Sequence, residues 1–129
     1  MKPVFKVLLA TVASLLFAAT ASAESFGSLT GNGYSLAATG AVGNGNTWLY
    51  LKGTQDMYIC LNMPGVNKIG DCKAAAPRGR VNYIELLESG AKIMSNSPVG
   101  NGNEWIMFVK GSETQTCLAM PGIYTIECR

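Results

Sequence analysis

Apolar and polar positions along this chain alternate in short runs. Trp48 to Lys52 and Trp105 to Lys110 are aromatic and aliphatic stretches bounded by Gly and Asn, the pattern of brief β-strands. Tyr34–Ala38, Val81–Leu87 and Ala91–Ser95 read as further strands, with Ser89-Gly90 as the turn between the last two. A short helix over Tyr83–Glu88 is the competing reading of that stretch. The Gly-Asn-Gly-Asn ahead of each Trp supplies residues that tolerate positive φ, so each is expected to form a tight turn. Met-Pro-Gly, at Met63–Gly65 and Met120–Gly122, is a second turn signal and fits a type II turn.

These signals occur twice. Val42-Gly43-Asn44-Gly45-Asn46-Thr47-Trp48 recurs as Val99-Gly100-Asn101-Gly102-Asn103-Glu104-Trp105. Cys60-Leu61-Asn62-Met63-Pro64-Gly65 recurs as Cys117-Leu118-Ala119-Met120-Pro121-Gly122, and both motifs are offset by 57 positions. So many uncommon residues in one order mark two copies of one unit, at about residues 33–72 and 90–128. Lys73–Arg80, with three alanines, Pro77 and Gly79, reads as the connector. The expected fold is all-β: a small disulfide-stabilised barrel or sandwich of about eight short strands, built from the internal duplication.

The first residues follow a different pattern. Lys2 and Lys6 precede an apolar run from Val7 to Ala19, and Ala21-Ser22-Ala23 offers a cleavage site of small residues. This is the layout of a secretory signal peptide over residues 1–23, leaving one β domain at 24–129. The apolar run is too short to span a bilayer, so no stable membrane insertion is expected once the leader is removed. The whole chain has ten Lys/Arg and eight Asp/Glu; without the two leader lysines the charge is near zero. That argues against nucleic acid as a partner, which would need a basic face. The location expected is periplasmic or secreted, in a bacterium.

The four cysteines, Cys60, Cys72, Cys117 and Cys128, all follow the leader. An even count in a small exported chain reads as two disulfides. A hairpin turning at each Pro-Gly puts Cys60 opposite Cys72 and Cys117 opposite Cys128, so those pairings are expected. The chain has no histidine, which removes Ser-His-Asp and Cys-His catalysis and imidazole zinc ligation. No catalytic residue, metal site or cofactor is expected.

Two sets of candidate binding residues remain. Trp48 and Trp105, with Asn44, Asn46, Asn101 and Asn103 in the turns before them, could form a glycan site in each repeat. The second set lies in Glu88-Ser89-Gly90-Ala91-Lys92-Ile93 and Phe108-Val109-Lys110-Gly111-Ser112-Glu113-Thr114. The region from Glu88 to Thr114 resembles the exported bacterial inhibitors of C-type lysozyme, in membrane-bound and periplasmic forms. These carry a Ser-Gly-Ala loop and, downstream, an aromatic strand ending in Lys-Gly. Ile93 stands where the family has tyrosine, and Val109 where it has an aromatic residue. The resemblance implies an eight-stranded β-barrel and places the partner-binding roles on Ser89 and Lys110, with Gly90, Ala91, Lys92 and Gly111 beside them.

The functional expectation is an exported, non-enzymatic binding protein. It would act as an inhibitor or immunity protein against a lysozyme-like or other cell-wall hydrolase. The alternative is a lectin-like carbohydrate-binding module with one site per repeat. The expected partner is accordingly a protein target or a glycan.

Overall fold

The computed structural model describes residues 23–129; the signal segment read over residues 1–23 lies, Ala23 apart, outside the described residues. In chain order the elements are β1 (Ala23–Glu24), α1 (Phe26–Gly31), β2 (Ser35–Ala41), β3 (Thr47–Lys52), β4 (Met57–Met63), β5 (Lys68–Ile69), β6 (Cys72–Ala74) and β7 (Ala76–Gly79). There follow α2 (Tyr83–Glu88), β8 (Lys92–Pro98), β9 (Glu104–Lys110), β10 (Glu113–Met120) and β11 (Thr125–Cys128). They form two sheets, ordered β1-β6-β4-β3-β2, with β5 also on β4, and β7-β11-β10-β9-β8. The architecture is an all-β sandwich rather than a closed barrel.

Several local expectations are corrected. Eleven strands are present among the described residues rather than eight, because short pieces such as β1, β5 and β7 pair at sheet margins. Of the stretch read as a strand over Val81–Leu87, Val81 alone makes a β-bridge, to Cys128, and Tyr83–Glu88 is the short helix of the competing reading: Asn82 caps α2 by accepting a hydrogen bond from the Ile84 amide at 2.9 Å. The connector is not a loose linker, since β7 pairs in parallel with β11. Gly79 makes that pairing possible, with φ at +89° and an added Cβ falling 2.0 Å from the Cys128 carbonyl oxygen.

Each Pro-Gly turn is a 3₁₀ turn, Pro64–Val66 and Pro121–Ile123, not type II. Its positive φ falls later, at Asn67 (51°) and Tyr124 (53°). Asn takes that conformation readily, whereas Tyr does so only under constraint. Tyr124 is held edge-on against Trp48, ring centroids 6.1 Å apart, with the Lys73 ammonium over its face at 5.1 Å. The Gly-Asn-Gly-Asn turns do use positive φ, at Gly43, Gly45, Gly100 and Gly102.

Structural correspondence reaches upstream of the sequence repeats. α1 and α2 occupy equivalent positions, each followed by a three-stranded meander whose first pairing has a bulge, at Leu36/Ala38 and Ile93/Ser95. Disulfides Cys60–Cys72 and Cys117–Cys128 close the equivalent strands, with Cα atoms 4.2 and 4.3 Å apart, in the pairing the spacing implies.

Alternation along the strands gives each sheet two faces. One is a disulfide face, bearing Leu49, Leu51 and Cys60 in the first sheet and Ile106, Phe108 and Cys117 in the second. The other is a tryptophan face, bearing Trp48 and Tyr50, or Trp105 and Met107. In the first sheet the disulfide face packs under Leu29 of α1. Its tryptophan face packs onto the disulfide face of the second sheet, where Ala38, Tyr50 and Ile59 meet Ile106, Phe108 and Ile126. Burying Ile106 or Phe108 contributes about 2–3 kcal/mol each. The two copies therefore stack front to back, not through like faces.

Tyr83 of α2 stitches the layers. Its hydroxyl donates to the Ala75 carbonyl at 2.6 Å and accepts from the Met57 amide at 3.2 Å. Desolvation pushes its phenol well above the ordinary tyrosine range. The interface is not fully satisfied: Tyr50 Oη, Glu104 Oε2 and Thr125 Oγ1 are buried without hydrogen-bond partners.

Candidate functional site

The stretches Glu88–Ile93 and Phe108–Thr114 come together at one end of the second sheet. Ser89 is the C-cap of α2, and its hydroxyl donates to the Leu86 carbonyl at 2.8 Å. Gly90, with φ at +96°, reverses the chain, and the Ala91 amide returns to the Leu86 carbonyl at 2.9 Å. Ala91 is buried beneath this turn, which fixes the backbone beside Ser89. Lys92 points into solvent at the start of β8, opposite Val109.

Lys110 ends β9 and stands opposite Glu113 across the Gly111 turn, where φ is +62°. Ser89, Ala91, Phe108, Lys110 and Glu113 line one concavity of about 250 Å³. Phe108 and Ala91 supply an apolar floor, while Ser89, Lys110 and Glu113 supply a polar rim. Among the described residues the only ion pair joins Arg129 to Glu127, at 3.0 Å, so the Lys110 ammonium is free for another partner. The chemistry available is the Lys110 cation on the rim, with the Glu113 carboxylate across from it and the Ser89 hydroxyl, its proton held by the Leu86 carbonyl, beside it; the ammonium is the group suited to holding an acidic partner. Leu86, Thr114 and Gln115 complete the lining.

The glycan candidates have unequal surroundings. Trp48 is half-buried against Tyr124 between the sheets, whereas Trp105 is 44% exposed. The equivalence of the two Trp residues in sequence therefore does not extend to their accessibility, because only the first sheet has its tryptophan face covered. Asn44 and Asn101 serve their own turns: Asn44 Oδ1 accepts from the Asn46 amide at 3.2 Å and Asn101 Oδ1 from the Asn103 amide at 3.4 Å. The two turns adjoin a shared hollow of about 190 Å³ that includes Gly43, Gly100 and Asn103.

Trp105 lies with Ser95, Ser97, Met107 and Thr116 along a shallow groove of about 360 Å³. The sequence reading did not single out the four residues around Trp105. The signal for them was period-two alternation about Trp105 across three neighbouring strands.

Compared with family models, curated proteins and solved structures, the chain matches none. No helix among the described residues is long and apolar enough to cross a membrane.

Proposed function

We propose that this chain is an exported, non-enzymatic binding protein that blocks a lysozyme-like or other cell-wall hydrolase, as an inhibitor or an immunity protein. The disulfides suit an oxidising compartment, the periplasm or the exterior of a bacterium. The reading rests on one observation: Ser89 and Lys110, distant in sequence, line the same concavity, and Lys110 has no ion-pair partner among the described residues.

A lysine on a rigid rim binds carboxylates in an acidic cleft through charge-assisted hydrogen bonds once water is excluded. The buried disulfides and the capped α2 turn keep the rim ordered, which limits the entropy lost on binding. The glycan reading keeps support only at Trp105, since Trp48 lies between the sheets.

Titration of the oxidised protein into lysozymes and peptidoglycan amidases tests the proposal. Inhibition of one of them supports it, with Lys110→Ala weakening inhibition by roughly thirtyfold and Ser89→Ala by less. Absence of binding to every hydrolase tried, or inhibition unaffected by Lys110→Ala, would remove it.

A further inference from the structure

The residues around Trp105 differ from their repeat equivalents in one consistent way. In the covered copy, Trp48 shares its face with Ala38, Gly40, Tyr50 and Ile59. The strand registers put Ser95, Ser97, Met107 and Thr116 at the same positions about Trp105. The tryptophan is kept, and Ala38, Gly40 and Ile59 give way to three hydroxyl-bearing residues. No charge enters the lining: the charged residues of this face in register with it, Lys92 opposite Val109 and Glu127 beyond Leu118, stand outside the groove. A face that only has to stay in water is better served by Lys or Glu than by an indole that is 44% exposed.

The three hydroxyls are also unengaged. The Ser89 and Thr30 hydroxyls donate to backbone carbonyls, whereas those of Ser95, Ser97 and Thr116 have no hydrogen-bond partner among the described residues. Each is therefore available to donate and to accept.

We propose that the Trp105 groove is a binding site for a neutral oligosaccharide, one sugar ring lying against the indole while its hydroxyls bond to Ser95, Ser97 and Thr116. A pyranose ring has the matching chemistry, an apolar C–H face edged by hydroxyl groups. The indole supplies a rigid apolar surface for the first, and the surrounding side chains supply the second. A ligand without charge fits a lining without charge, since no group in the groove would offset the desolvation of an ionised one. The groove is shallow, about 360 Å³ in volume, and suits a chain running past its ends rather than an enclosed monosaccharide. Because Trp48 is covered, the duplication yields one such site and not two. Lys110 projects from the opposite face of β9, so the site is separate from the proposed inhibitory rim and does not depend on it.

Calorimetric titration of the oxidised chain with N-acetylchitotetraose and with cellotetraose tests this. Binding of at least one of them in the micromolar to millimolar range is expected. Trp105→Ala is expected to weaken it roughly tenfold or more, with an unchanged far-UV spectrum. Ser95→Ala and Thr116→Ala are each expected to weaken it about fivefold. Trp105→Phe, which keeps an aromatic surface, is expected to retain part of the affinity, and Lys110→Ala all of it. A wild-type chain that binds neither sugar at millimolar concentration overturns the proposal, as does binding that Trp105→Ala leaves unchanged. Loss of hydrolase inhibition in Trp105→Ala, from a wild type that binds no sugar, would assign the groove to the protein target instead.

Discussion

The Glu104 carboxylate occupies the space that a side chain on Gly40 would need: an ideal Cβ there lies 2.5 Å from Oε1 and 2.8 Å from Cγ of Glu104. Gly40 is on β2 and Glu104 on β9, so this one approach sets how closely the two sheets pack. Gly40→Ala is expected to cost about 1–3 kcal/mol through overpacking. Glu104→Thr, which copies Thr47 of the first unit, is expected to recover much of that loss in the double variant. Urea unfolding of the four proteins in the cycle measures the coupling.

Burial raises the Glu104 carboxyl above the usual carboxylate range. Among the described residues no cation pairs with it; the titratable group facing it is Tyr50, whose phenol is itself pushed upward by burial and then by the Glu104 charge. A folded-state pKa above the unfolded one means that the folded protein prefers the neutral acid. Glu104's contribution to stability is therefore fully present below the unfolded carboxylate pKa and is lost as pH rises through the raised folded value. Relative to Glu104→Gln, which is neutral throughout, the wild type is expected to lose stability as pH rises through that window. Paired unfolding curves at mildly acidic and neutral pH check this; a difference that does not change with pH would contradict it.

Tyr83→Phe is expected to destabilise the protein by about 1–3 kcal/mol, because it leaves the buried Ala75 carbonyl and Met57 amide without their shared partner. The equivalent residue in the first unit is the half-buried Phe26, which makes the two helices chemically unequal at this position. Thermal unfolding of the variant, followed by near-UV dichroism, reads the loss.

Each disulfide closes a short loop, with separations of 12 and 11 residues. Removing either pair is expected to cost roughly 2–3 kcal/mol on the chain-entropy model. Replacing Cys117 and Cys128 by Ala is expected to cost more than the same change at Cys60 and Cys72. The second pair belongs to the core shared by both sheets, whereas the first belongs to the smaller cluster under α1. Denaturation midpoints of the two double variants rank them.

The cysteine pairing, the strands after each Trp and the positive-φ turns could be read from residue types, because each depends on local geometry. α1 could not: Phe26–Gly31 contains two glycines and no strong helix pattern, and it forms because Ser25 caps it and Leu29 buries against β3 and β4. β7 was equally hidden, since Ala-Pro-Arg-Gly has no strand signature and its partner β11 lies far along the chain. The convergence of Ser89 and Lys110 depends on β8 and β9 lying side by side, which a resemblance between short motifs could suggest but not establish. The unequal fates of Trp48 and Trp105 follow from front-to-back stacking, and no identity between the repeats encodes that.

β11 comes after every other strand in sequence yet lies inside its sheet, between β10 and β7. Until it is in position, β7 has no neighbour and Cys117 no sulfur to join. The first sheet has all its strands by Ala74 and can assemble early. The second half is complete only when this single last strand supplies an edge partner, half a crosslink and Ile126 for the common core.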